Sequence, residues 1–144
     1  MSKMIFVNLP VADLPISKAF YEAVGFVNNP QFTNENAAAM VWSDTIVVML
    51  LQHEFWKTFT SKAIPNAKES AQVLLCVGMD DREAVDAIVG LATRAGGEPD
   101  PTPTQDHGFM YGRSFEDPDG HIWETMWMDP KVAAGEMPVE HIEA

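Results

Sequence analysis

Apolar positions along the chain switch between two periods, and the switch occurs twice in the same order. Phe6-Val7-Asn8-Leu9-Pro10-Val11 reads as a strand that runs into an acidic helix cap at Asp13. Ile16, Ala19, Phe20, Ala23 and Val24 then recur at helical spacing, with Pro15 in the first turn and Gly25 as the stop. Later, Leu74-Leu75-Cys76-Val77 leads to Asp80-Asp81, with Glu83 completing a capping box after Asp80. Val85, Ile88, Ala92 and Ala95 form the second buried stripe before Gly96-Gly97. Short runs follow each helix: 26–32, 37–42 and 46–51 in the first copy, and a weak strand near Glu98, then 109–116 and 121–128, in the second. The pattern predicts an α+β fold of two βαβββ modules, residues 1–60 and 71–129. A polar linker, 61–70, joins them, His53 to Thr60 is a helical excursion, and an acidic tail, 130–144, follows. Neither module alone buries both its helix and a sheet face, so the two are expected to pack together as one domain over 1–129.

The register of the last hairpin bears on chemistry. If Asp117-Pro118-Asp119-Gly120 is a four-residue loop, Arg113 faces Glu124 across the ladder. Phe109, Tyr111, Arg113 and Phe115 then share a face with Ile122, Glu124, Met126 and Met128, while His121, Trp123, Thr125 and Trp127 take the other. An Arg113–Glu124 pair on an otherwise apolar face either fixes the hairpin or anchors a ligand; pattern alone leaves both open.

The residues Val11-x-Asp13-x-x-x-Ser17-x-Ala19-Phe20-Tyr21-Glu22-x-x-Gly25-Phe26, with Phe115-Glu116-Asp117-Pro118-Asp119-Gly120-His121-x-Trp123-Glu124 later, resemble the vicinal oxygen chelate superfamily of glyoxalase I, bleomycin-resistance proteins and extradiol dioxygenases. The resemblance spans about residues 4 to 129. It implies a cupped eight-stranded arrangement of the two modules, frequently dimeric, with a divalent metal in the cup of the enzymes. Glu124 matches one ligand position. Phe6 and Leu74 stand where the family carries His, and the strand Ile46–Leu51 has no carboxylate or imidazole. Met49 offers a thioether, a poor donor for a hard ion. No metal or other cofactor is therefore expected, and Glu124 is the ligand if there is one.

Candidate ligand-binding residues are Phe6, Asn8, Leu74, Phe109, Tyr111, Arg113 and Met126, while Trp42, Phe55, Trp56 and Phe59 read either as core and interface packing or as rim or lid. Cys76 shares the face of Leu74 and reads as a small buried thiol pointing toward the cup, or else as a nucleophile, although no base can be placed beside it. Candidate catalytic residues are Glu124 and His107, the latter beside Asp106 and equally readable as an ordinary loop histidine. Three functions follow: a small-molecule binder of the bleomycin-resistance type without the metal, a metal-dependent lyase or isomerase resembling glyoxalase I or a related dioxygenase, and a metal-free acid/base enzyme using Glu124.

Composition narrows the partners. Nine Lys+Arg against 21 Asp+Glu give a net charge of −12 and a pI near 4.5, which repels nucleic acid and anionic membranes. A small-molecule ligand and a second copy of the chain are the expected partners. The lone Cys76 forms no internal disulfide, and the N-terminus lacks a signal-like apolar run; both fit the cytoplasm.

Overall fold

The computed structural model describes residues 2–135. Strand β1 (Ile5–Val11), helix α1 (Leu14–Ala23), strands β2 (Val27–Asn29), β3 (Ala37–Ser43) and β4 (Ile46–Gln52) form the first module, and a four-residue helix, α2 (His53–Trp56), closes it. The second contains β5 (Leu74–Gly78), α3 (Arg82–Arg94), β6 (Glu98–Pro99), β7 (Gln105–Asp106), β8 (Met110–Glu116) and β9 (Ile122–Met128), followed by the single turn α4 (Pro130–Ala133). Two mixed sheets result, in the orders β1-β4-β3-β2 and β5-β9-β8-β6, with β7 added on β8. The module-opening strands pair in parallel with β4 and β9, and the other ladders are antiparallel. No described helix is long and apolar enough to cross a membrane.

Helix starts follow the acids. The Asp13 side chain accepts from the Ile16 amide at 3.1 Å and that of Asp81 from the Ala84 amide at 2.7 Å, so each satisfies an amide left free by the first turn. Asp81 rather than Asp80 is the cap of the second helix, which removes the expected Asp80–Glu83 capping box. Both helices bury their apolar stripes against one side of each sheet. The core joins Phe20, Tyr21 and Val24 of α1 to Ile88, Val89 and Ala92 of α3, and to Phe115 and Trp123 beneath them. Each such side chain contributes about 1.5–3 kcal/mol when fully buried. Trp42, readable as core packing or as cup rim, packs on Phe26 at 4.9 Å between ring centroids, and Phe26 in turn meets Trp123 at 5.6 Å.

The Asp-Pro-Asp-Gly turn fastens one module to the other. Asp117 is buried and accepts at Oδ1 from the amides of Asp119, Gly120 and His121, at 2.9–3.0 Å. Its Oδ2 accepts from the Tyr21 hydroxyl at 2.6 Å, and that hydroxyl accepts from Trp123 Nε1 at 2.9 Å. Asp119 accepts from the Ala12 amide (2.9 Å) and the buried Ser17 hydroxyl (3.1 Å), while His121 Nε2 lies 2.8 Å from the Pro10 carbonyl oxygen. Ser17, Tyr21, Asp117 and Asp119, all members of the sequence motif, are thus tied to one another across the modules. Burial pushes both the Tyr21 hydroxyl and the Asp117 carboxyl upward, and the charge of Asp117 adds to the shift of Tyr21.

Three expectations about elements change. The strand over 26–32 stops at Asn29, because Pro30 cannot donate to a ladder and the Asn29 side chain caps a 3-10 turn over Pro30–Phe32. The helical excursion 53–60 is helical only to Trp56. Gln105 and Asp106, read as loop, pair with Gly112 and Tyr111, so the second sheet has five strands and the total is nine. Of the tail, 130–135 forms α4 and a turn, and the rest lies outside the described residues.

Candidate functional site

The last hairpin has a register one residue away from the expected one. Ser114, not Arg113, faces Glu124, and Arg113 faces Thr125. The reason is at Gly120, whose φ of +103° follows a turn closed by Gly120 N to Asp117 O, while Asp117 N bonds to His121 O. The left-handed glycine draws His121 into the loop, and one extra residue inverts the parity of everything before it.

The side chains of Arg113 and Tyr111 therefore turn to the α3 face and the expected Arg113–Glu124 pair does not form, although Arg113 still borders the cavity on the opposite face. Arg113 Nε and Nη2 donate to the two carboxylate oxygens of Asp100 at 3.1 and 2.8 Å, and Nη1 donates to Asp86 at 3.0 Å. Tyr111 donates to the same Asp86 oxygen at 2.7 Å. Asp100 reaches this position with φ +54°, a conformation that aspartate tolerates better than most residues. Hydrogen bonds from Tyr111 first and Arg113 second hold the Asp86 carboxyl below the usual carboxylate range. Arg82 spans the Tyr111 ring at 4.5 Å and pairs with Asp106, which lowers the Asp106 carboxyl likewise. Asp86 and Asp100 were missed as partners because the long-range contact of a helix and a loop with a strand has no sequence signal.

The opposite face of the second sheet is the cup. Leu74 and Cys76 on β5, Met110 and Gly112 on β8, and Glu124 and Met126 on β9 line a cavity of about 300 Å³. Ser114 lies on the same face but is covered by the 100–104 loop, where the Thr102 hydroxyl donates to its Oγ at 2.7 Å. Among the described residues, Glu124 has no ion pair and no side-chain hydrogen bond. Cys76 sits directly beside it in the ladder, exposed rather than buried because the cup is open there, and partial desolvation, then the Glu124 charge, push its thiol upward. Among the described residues, the cup thus combines one carboxylate without an ion pair, a thiol held above its ordinary pKa, and walls of mixed apolar and polar side chains.

The other predicted residues are not in this cavity. Phe6 and Asn8 lie on the face of β1 that carries Val47, Met49 and Leu51 of β4. Phe6 is 59% exposed. Asn8 borders a separate crevice of about 250 Å³ between the first strands of the two modules, with Trp56. Phe109 precedes β8 and stacks on His107 at 6.0 Å. His107 is exposed, and among the described residues its side-chain hydrogen-bond neighbour is Gln105, at 3.4 Å from Nε2. Phe55 and Phe59 pack edge to face on each other at 5.1 Å rather than over the cup.

The donors do not fit the family's divalent ion. Of the four positions that the resemblance marks, Glu124 alone carries a hard donor, and Phe6, Met49 and Leu74 carry none. Among the described residues one group has metal-like spacing, Asp117, Asp119 and His121. Their oxygens and His Nε2 are the atoms already engaged in joining the modules.

No protein-family model and no curated protein matches the sequence. Solved structures do. A hypothetical protein from S. aureus is 28% identical, with a TM-score of 0.73 over 88% of this chain and 94% of its own. A glyoxalase/bleomycin resistance protein/dioxygenase family enzyme from Burkholderia phytofirmans PsJN is 20% identical, with a TM-score of 0.71 over 88% and 99%. An antibiotic binding protein from a Streptomyces species is 20% identical, with a TM-score of 0.62 over 89% and 97%.

Proposed function

The chain has the glyoxalase-like fold of the vicinal oxygen chelate superfamily, and on that premise we propose that it binds a small molecule in the cup of the second sheet, without the metal of the enzymes. The observation that carries this reading is Glu124, a carboxylate with no ion pair or side-chain hydrogen bond among the described residues, in a cavity whose lining mixes Leu74, Met110 and Met126 with Cys76, Thr102, Gln105 and Arg113. An unpaired carboxylate in a partly apolar cavity is costly unless a ligand brings it a positive charge or strong donors. The ligand class is accordingly a flat or hydrophobic molecule with a cationic end. An antibiotic binding protein among the structures of the same fold supports small-molecule binding, on a fold that hosts binding and catalysis alike.

The same reading includes a homodimer. Met4, Ile5 and Phe6 at β1, and Val73 and Leu74 at β5, are at least half exposed. Apolar side chains exposed at the start of both strands are stabilised by covering, and a second copy bringing its β1 face over the open cup supplies the cover.

The test pairs metal analysis of protein purified without a His-tag with calorimetry against a cationic acridine dye. We expect no stoichiometric metal, and saturable dye binding that Glu124→Gln weakens about tenfold, equivalent to about 1.4 kcal/mol. One tightly bound Zn, Ni, Mn or Fe per chain that Glu124→Gln abolishes, or dye binding indifferent to that substitution, overturns the reading.

A further inference from the structure

The cavity between the linker and the Asp-Pro-Asp-Gly turn is larger than the cup, about 860 Å³, and its charge runs against that of the molecule. Three of the chain's six lysines, Lys57, Lys62 and Lys68, line it, as do His53 and His121, in a protein of net charge −12. Lys57 is paired with Glu54 at 3.0 Å, whereas Lys62 and Lys68 have no ion pair among the described residues. The one acid on the wall, Asp119, has both carboxylate oxygens occupied by the Ala12 amide and the Ser17 hydroxyl. Two lysines without an ion pair among the described residues, Lys62 and Lys68, therefore line a space whose single carboxylate is already engaged.

The walls are fixed by the fold. On one side the turn is held to β1 through Asp119 and His121. On the other, the linker closes onto Gly120 so tightly that a Cβ there would stand 2.7 Å from the Lys68 amide nitrogen. A local turn keeps Lys68 in place, with the Asn66 side chain accepting from the Lys68 amide at 3.0 Å and the Asn66 carbonyl from Glu69 and Ser70. Lysines held around a concave space concentrate positive potential there, even on an acidic protein.

We propose that this cavity is a second binding site, independent of the cup, for a small polyanion presenting phosphate or carboxylate oxygens to Lys62 and Lys68. Nucleic acid is disfavoured by the net charge outside the cavity, so the ligand is a small molecule. Calorimetry of the full chain at low ionic strength with pyrophosphate, and separately with citrate, tests it. Saturable one-to-one binding of either probe is expected, weakened at least tenfold by Lys62→Gln/Lys68→Gln and unchanged by Lys18→Gln/Lys131→Gln, which removes the same charge elsewhere. A response to pyrophosphate alone assigns phosphate, and a comparable response to citrate assigns polycarboxylates. Glu124→Gln leaves the binding intact, which separates this site from the cup. Absence of saturable binding by both probes, or equal weakening by the two lysine pairs, overturns the proposal.

Discussion

The two faces of the five-stranded sheet spend their polar groups in opposite ways. On the helix side Arg113 and Tyr111 are both committed, to Asp86 and Asp100, and the buried Thr125 hydroxyl lies 3.3 Å from the Arg113 carbonyl oxygen. The neighbouring Tyr21–Trp123–Asp117 chain is complete as well. On the cup side Glu124 has no ion pair or side-chain hydrogen bond among the described residues, and Cys76 beside it is accessible. A face whose polar groups satisfy one another serves stability, and one that leaves a carboxylate without an ion pair is available to a ligand. Substitutions on the helix side should therefore move the melting temperature, and substitutions on the cup side should move binding.

The largest effect is expected from Asp117→Ala. It strips partners from three amides and from the Tyr21 hydroxyl inside the core, and denaturant unfolding should show a loss of about 3–5 kcal/mol. A loss under 1 kcal/mol would mean that the turn merely accompanies the packing of the modules. Next comes Phe6→Ser/Leu74→Ser, on the open faces. Light scattering should show the dimer reduced to monomer, with each chain still folded, since both side chains are already half exposed or more; an unchanged mass would remove the second copy from the cup.

Arg113→Met tests the helix side more gently. The pair with Asp86 is partly exposed, so screening limits its loss to about 1 kcal/mol or less. Its pH dependence is diagnostic. Asp86 titrates lower in the folded chain than in the unfolded one, so the stabilisation is fully present above the unfolded carboxylate value, about 3.9. It disappears as pH falls through the lowered folded value. The difference between wild type and variant, followed by tryptophan fluorescence, should be constant near neutrality and vanish in acid. A difference that grows in acid contradicts the assigned pairing.

The smallest effect belongs to the cup. Glu124→Gln should leave stability within about 0.5 kcal/mol. It should also speed alkylation of Cys76, because removing the carboxylate charge lifts one of the two influences that hold the thiol protonated. A slower reaction would place Glu124 as a base for the thiol and revive an acid/base role for the pair.

Much of the architecture was legible in the residues. The repeated alternation and helical stripe marked both modules, Asp13 was readable as a cap, and the parity of β5 placed Leu74 and Cys76 together. What failed were features that depend on a single backbone angle or a distant partner. The glycine at 120 shifted the hairpin by one residue and moved Arg113 and Tyr111 to the other face, a change that composition and periodicity do not record. Trp42 was readable as core or as rim, and only the packed structure decides for the core, with Phe26 against it and Trp123 beyond.

The sequence alone determined the two modules, their helix boundaries to within a residue or two, the shortage of metal donors at Phe6, Met49 and Leu74, and the overall negative charge. These depend on residue type and local spacing. Tertiary structure decided that the Asp-Pro-Asp-Gly motif is a fastening between modules, that Glu124 is free while Arg113 is not, and that three lysines scattered over 57–68 converge on one cavity. Each of those facts depends on which distant groups meet, and hydrogen-bond satisfaction, which separates a spent charge from an available one, exists only once they have met.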